Sequence, residues 1–211
     1  MAESFLFDTP RSPRATLILA HGSGQPMDSP FMTSIAGRVA GSAFPIEVVR
    51  FNFPYMQRAV AEGRRRPPDR AALLESAWRE AITALRLRSE NLFIGGKSLG
   101  GRFASMVADE AGVDGVICFG YPFHPPGKPD RLRTAHLEEI GTPVLILQGE
   151  RDPFGGAAEV PGYTLSARVT VVWMPDGDHG FKPRKSSGVS LEDNLDAAAR
   201  AAVAFIEAAV T

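Results

Sequence analysis

Two periodicities alternate along the chain. Short apolar runs read as strands buried on both faces, and between them apolar residues return every three or four positions, as on helices with one inward stripe. Ala15–Ala20 is the first such strand. A helix is expected from 30 to 40, with Pro30 in its first turn and Phe31, Ile35 and Val39 along one side. Ile46–Phe51 predicts the next strand, stopped by Pro54. Residues 57–69, with Gly63-Arg64-Arg65-Arg66-Pro67-Pro68, are too polar and proline-rich for core and read as a surface loop. From Asp69 as N-cap, Leu74, Trp78, Ile82 and Leu85 mark an amphipathic helix.

The second half repeats the alternation. An apolar strand runs from Asn91 into Gly95, and Phe103, Met106 and Val107 continue a helix to about Gly112. Strands follow at Val113–Phe119, Val144–Gly149 and Val169–Met174. Ser190-Leu191-Glu192-Asp193 resembles a capping box and opens a last helix with Leu195, Ala199, Ala202 and Ile206 inward. Strands and helices in strict turn predict an open, mostly parallel sheet covered by helices on both faces. Such sheets hold ligands beyond the carboxyl ends of their strands.

Composition narrows the functional classes. At 211 residues and 44% hydrophobic, the chain suits one domain, 1–211, with a sizeable core. Lys and Arg total 23 against 24 Asp and Glu, a net charge of −1, so neither nucleic acid nor a membrane surface is expected as partner. The triple arginine reads as a solvated face. No apolar run approaches the roughly 18 residues of a spanning helix. The single Cys118 cannot form an internal disulfide, and the chain does not open on a secretion-type leader, so a cytoplasmic protein is expected.

Candidate chemistry centres on Gly95-Gly96-Lys97-Ser98-Leu99-Gly100-Gly101, where a strand delivers a serine into a glycine-flanked turn. Gly96, Ser98 and Gly100 form G-x-S-x-G, a spacing that suits a nucleophile on a tight strand-to-helix turn. A rival reading takes Gly96-Lys97-Ser98 as the end of a phosphate-binding P-loop. It fails because Asn91 stands where that motif needs its first glycine and because the apolar strand leaves no loop to wrap a phosphate.

A serine hydroxyl is a weak nucleophile near neutral pH and needs a base within hydrogen-bond reach and a third group to orient that base. Of the four histidines, His179 lies in a glycine-punctuated loop just past the last predicted strand and is the candidate base. His21, His124 and His136 are not. Asp152, just past its strand and beside Pro153 and Gly155, is the candidate acid, ahead of Glu150, Asp176 and the loop-bonding Asp178. Acyl transfer places charge on the former carbonyl oxygen, which backbone amides must meet. The Leu99 N–H, at a helix start, is one expected donor; the second should come from His21-Gly22-Ser23-Gly24, with Ser23 first and Gly24 next.

With Leu-Ala-His-Gly-Ser-Gly at 19–24, Gly-Gly-Lys-Ser-Leu-Gly-Gly-Arg at 95–102, Gln-Gly-Glu-Arg-Asp-Pro-Phe-Gly at 148–155 and Gly-Asp-His-Gly-Phe at 177–181, the chain resembles small α/β-hydrolases of the dienelactone-hydrolase-like kind, and most nearly their bacterial and testis-expressed branch. The order Ser98, Asp152, His179 is the order of that fold. The resemblance implies a serine triad at these positions, a small acyl substrate, and no metal or organic cofactor. Dienelactone hydrolases proper use cysteine as nucleophile; here Ser98 holds that position, while Cys118 falls inside a strand. Only residues 120–143 separate the strands between which larger relatives insert a cap. A short, stiff rim is therefore expected, with an open site lined partly by Tyr121, Phe123 and His124. The sequence implies hydrolysis of an ester or thioester; the alternative is a hydrolase-fold interaction module with little turnover. Oligomeric state has no signature in it.

Overall fold

A computed structural model describes residues 5–211. Seven strands form one sheet: β1 (Phe5–Asp8), β2 (Ala15–Ala20), β3 (Ile46–Phe51), β4 (Leu92–Lys97), β5 (Gly115–Phe119), β6 (Val144–Gly149) and β7 (Val169–Met174). Their spatial order is β1-β3-β2-β4-β5-β6-β7, and every pairing is parallel except β1 against β3. The expected mostly parallel sheet is thus observed, with β1 as an additional antiparallel edge strand.

Among the described residues, six α-helices cover the sheet: α1 (Pro30–Ala40), α2 (Pro54–Glu62), α3 (Ala71–Leu85), α4 (Leu99–Ala111), α5 (Ala135–Glu139) and α6 (Leu191–Val210). The period of two along each strand divides the core in two. Leu17 and Leu19 join Ile35, Phe93, Ile117 and Ile206 under α1 and α6, while Ile18 joins Trp78, Ile94, Phe103 and Val116 under α3 and α4. Each such aliphatic or aromatic side chain contributes roughly 1.5–3 kcal/mol by leaving water. Both strand faces are consumed in this way, which is why β2, β3 and β6 are buried along their whole length.

Three expectations need correction. Residues 54–62 form helix α2 rather than strand end and loop. Pro54 occupies a first-turn position, where its missing N–H costs nothing, and Tyr55, Met56 and Ala59 make the buried stripe. Gly63 ends the helix in the left-handed region at φ 63°. The N-cap of α3 is Arg70, with no side-chain cap; Asp69 is drawn instead into an ion pair with Arg58 at 2.5 Å. Segment 120–143 contains the short helix α5. It has no room for a cap domain. The capping box of α6 is present, with Ser190 Oγ accepting from Asp193 N–H at 3.1 Å and Asp193 Oδ2 accepting from Ser190 N–H at 2.9 Å.

Register brings the chemistry-bearing loops to one edge. Ala20 lies opposite Gly96, Lys97 opposite Phe119, and Gly149 opposite Met174, so the chain leaves β2, β4, β6 and β7 side by side. Those four exits carry residues 21–24, Ser98, Asp152 and His179.

Candidate active site

One residue, Ser98, joins β4 to α4, and it is held at φ 50° and ψ −108°. A side-chain-bearing residue at positive φ stores about 1–3 kcal/mol of strain. The strain is locked by the Ser98 N–H, which donates to Phe119 O at 3.1 Å, and by the close approach of β2 beneath the turn. A Cβ on Gly96 would stand 2.1 Å from Ala20 O, and one on Gly100 would stand 2.2 Å from the same oxygen. The two flanking glycines of the motif are therefore required by contact with a single carbonyl.

His179 Nδ1 lies 2.7 Å from Asp152 Oδ2. Asp152 is only 2% exposed, and its carboxylate has two further partners: Phe154 N–H donates to Oδ1 at 2.8 Å and Gln148 Nε2 donates to Oδ2 at 2.9 Å. Gln148 also donates to Gly155 O and accepts from Tyr121 N–H, tying the acid's loop to the exit of β5. In the sequence, Gln148 is only a lone amide ending an apolar strand. The Phe154 ring lies 4.3 Å from the imidazole, centre to centre, on its flank. Burial pushes the His179 pKa down; Asp152 opposes this and the nearby Lys97 ammonium reinforces it. The rival acids are engaged elsewhere. Glu150 accepts from Asp176 N–H, Asp176 pairs with Arg151 and Arg184, and Asp178 Oδ1 accepts from Gly180 and Lys182 N–H.

Ser98 and His179 line one cavity of about 510 Å³, with residues 22–25 and Leu99 on its walls. No hydrogen bond joins Ser98 Oγ to His179 in this conformation; such contacts commonly close only around substrate. The backbone N–H groups of Ser23, Gly24 and Leu99 donate to no protein acceptor among the described residues. They are free for a ligand. The loop that carries two of them is pinned by the buried His21: Phe53 N–H donates to Nε2 at 3.1 Å, which leaves the proton on Nδ1 to donate to Gly22 O at 2.6 Å. Burial lowers the His21 pKa to about 4, so the ring stays neutral and keeps this arrangement. Tyr55 adds a second anchor by donating to Ser23 O at 3.1 Å.

The structure assigns Lys97 a different partner from a phosphate. Its ammonium donates to His179 O at 2.6 Å and sits 5.5 Å over the Phe31 ring, and burial lowers its pKa to about 8. Cys118 is buried, its thiol pushed well up by burial and facing Gly101 O at 3.4 Å. It is no nucleophile.

The expected lining by Tyr121, Phe123 and His124 is corrected. All three are buried, and none borders the cavity. Tyr121 donates to Arg133 O at 2.8 Å, Phe123 packs between Tyr121 and Tyr163, and His124 Nδ1 bonds Pro125 O at 2.8 Å. Large aromatic rings gain more inside the core than on a rim, so they support the segment from below. Pro122 and Arg133 face the cavity in their place. Among the described residues, no group of three or more His, Cys, Asp or Glu side chains is placed to hold a metal ion, and no helix is long and apolar enough to cross a membrane.

A family model described as an alpha/beta hydrolase domain matches residues 13–207. Among solved structures, an alpha-beta serine hydrolase homologue from Coxiella burnetii superposes with TM-score 0.73 at 18% identity, covering 95% of this chain and 90% of that one. A Xanthomonas campestris protein described as an a/b serine hydrolase without lid gives 0.68 at 22% identity, with 93% and 88% covered. A dienelactone hydrolase from Anabaena variabilis gives 0.68 at 19% identity, with 95% and 88% covered.

Proposed function

From the premise that this chain belongs to the α/β-hydrolase family, we propose that it is a serine hydrolase acting on small esters or thioesters through an acyl-enzyme on Ser98. The observation that carries the reading is the Asp152–His179 pair at 2.7 Å, opening into the same cavity as a serine at positive φ.

The chemistry follows from the proton positions. Asp152 accepts from His179 Nδ1–H, which leaves Nε2 as the basic nitrogen toward the cavity. Nε2 takes the Ser98 proton as Oγ attacks the carbonyl carbon, and the tetrahedral oxyanion is met by the Leu99 N–H and the Ser23 N–H, with Gly24 as neighbour. The imidazolium gives its proton to the leaving oxygen or sulfur, the C–O or C–S bond breaks, and the acyl group stays on Ser98. A water then repeats the sequence, with His179 first base and then acid, releasing the carboxylic acid and restoring the serine. Losing one oxyanion donor typically costs about 10²–10³ in rate.

Steady-state hydrolysis of 4-nitrophenyl esters and acyl thioesters of two to eight carbons tests the reading. Saturable turnover that disappears in Ser98→Ala is expected. Folded wild-type protein without turnover on any member of the series contradicts it.

A further inference from the structure

Among the described residues, three cations and no carboxylate border the cavity: Lys97, Arg102 and Arg133. Lys97 is committed to His179 O, whereas neither guanidinium meets a carboxylate among the described residues; that of Arg102 lies 5.1 Å over the Phe103 ring. Neither forms an ion pair or a side-chain hydrogen bond with the described residues, and Arg102 Nε is shut from solvent without a partner.

Unpaired arginines are ordinary at a surface, where water solvates them. Elsewhere in this chain that rule holds. Arg38, Arg50, Arg58, Arg64, Arg66, Arg79, Arg88, Arg151 and Arg184 each meet a carboxylate within 4.0 Å, and every remaining arginine except these two is exposed. Among the described residues, Arg102 and Arg133 alone are half-buried arginines without a counter-charge. Burial and the neighbouring Arg102 push the Arg133 pKa below its ordinary value, so the two like charges feel each other across the cavity wall. Holding such a pair costs stability unless an anion is brought to it.

Their origins in the fold explain the placement. Arg102 lies one turn into α4 from the nucleophile, its own N–H donating to Ser98 O at 3.0 Å. One turn is about 5.4 Å. Arg133 comes from the rim segment and is fixed by backbone bonds on both sides: its N–H donates to Phe123 O at 2.7 Å, and its carbonyl accepts from Tyr121. The buried aromatics of the rim thus aim a guanidinium at the cavity. Planar, five-donor guanidinium groups suit carboxylate and phosphate oxygens, which they bind in pairs of hydrogen bonds.

We propose that Arg102 and Arg133 form an anion subsite of the catalytic cavity, so that the substrate carries a carboxylate or phosphate about one helical turn from the carbonyl that Ser98 attacks. The assignment of the carbonyl rests on the function proposed above; the subsite itself does not.

Isothermal titration calorimetry on the Ser98→Ala protein separates the two, because no turnover is needed. The probes are monomethyl glutarate, its neutral dimethyl ester, and inorganic phosphate. Monomethyl glutarate is expected to bind at least tenfold more tightly than the dimethyl ester, with an advantage that shrinks between 50 and 500 mM salt, about a threefold change in Debye length. Adding Arg102→Gln or Arg133→Gln should cut that advantage to less than threefold, while Arg102→Lys keeps part of it. Phosphate binding more tightly than the monoester identifies a phosphate substrate, and the reverse order a carboxylate. Equal affinity for the charged and neutral esters, with phosphate unbound, overturns the proposal even if a variant fails to fold. Anion binding by a protein that hydrolyses no ester keeps the subsite and removes the hydrolase reading.

Discussion

At the scale of single residues, the proposed mechanism makes activity depend on the state of His179. Its pKa lies below the ordinary imidazole value, and the base must be neutral to accept the Ser98 proton. Activity is therefore expected to be full at neutral pH and to fall on the acid side through a pKa below 6.5. Lys97 is one cause of that depression, so Lys97→Met should move the acid limb of the kcat/KM profile upward, an effect read directly from the pH profile. A limb that stays in place or moves down contradicts the role given to Lys97. Asp152→Asn loses the acceptor that keeps the proton on Nδ1, and kcat should drop by about 10³–10⁴ with little change in fold. Ser98, Asp152 and His179 could be picked out because each is a reactive type placed just past a strand. Lys97 and Gln148 could not, since a lysine inside the motif and an amide ending a strand acquire partners only when Lys97 meets His179 and Gln148 meets Asp152 across the sheet edge.

Among the elements, the β4–α4 turn is the most constrained. Gly100→Ala would force a methyl to 2.2 Å from Ala20 O, backbone against backbone, with no flexible side chain to yield. A loss of about 1–3 kcal/mol is expected from such overpacking, seen as a lowered denaturant midpoint at constant m. Ser190→Ala, which removes the α6 cap, should cost about 1 kcal/mol without altering kcat. These two elements were readable because their determinants are local: a glycine pair around a serine, and a serine three residues before an aspartate. Helix α2 was not readable, since Pro54 serves equally as a strand stop and a helix first turn, and only the burial of Tyr55 and Met56 against the α3 side decides between them. The rim misled for a related reason. Tyr121 and Phe123 sit where the sheet's exit predicts a site wall, but Gly120 at φ 69° turns the chain so that their rings enter the core.

For the whole molecule, the neutral buried His21 couples stability to pH. Its pKa is about 4 folded against 6.5 unfolded, so the unfolded chain binds its proton first as the solution is acidified. The stabilisation from neutral His21 is complete above pH 6.5 and is lost progressively toward pH 4, by an amount on the order of 3 kcal/mol. The urea midpoint of His21→Gln should vary less across that window than that of the wild type; equal variation contradicts the assignment. The same ring holds the loop of Ser23 and Gly24 to the strand edge, so the sheet, its buried anchors and the four exit loops act as one scaffold for Ser98.

In the proposed mechanism Ser98 is a nucleophile activated by His179. Mass spectrometry of the intact protein after exposure to an alkyl fluorophosphonate tests it most directly, followed by peptide mapping of the adduct. A single covalent adduct mapping to Ser98 is expected, absent in Ser98→Ala and formed far more slowly in His179→Ala. An adduct of undiminished yield on Ser98→Ala, or no adduct on the folded wild type, would contradict it.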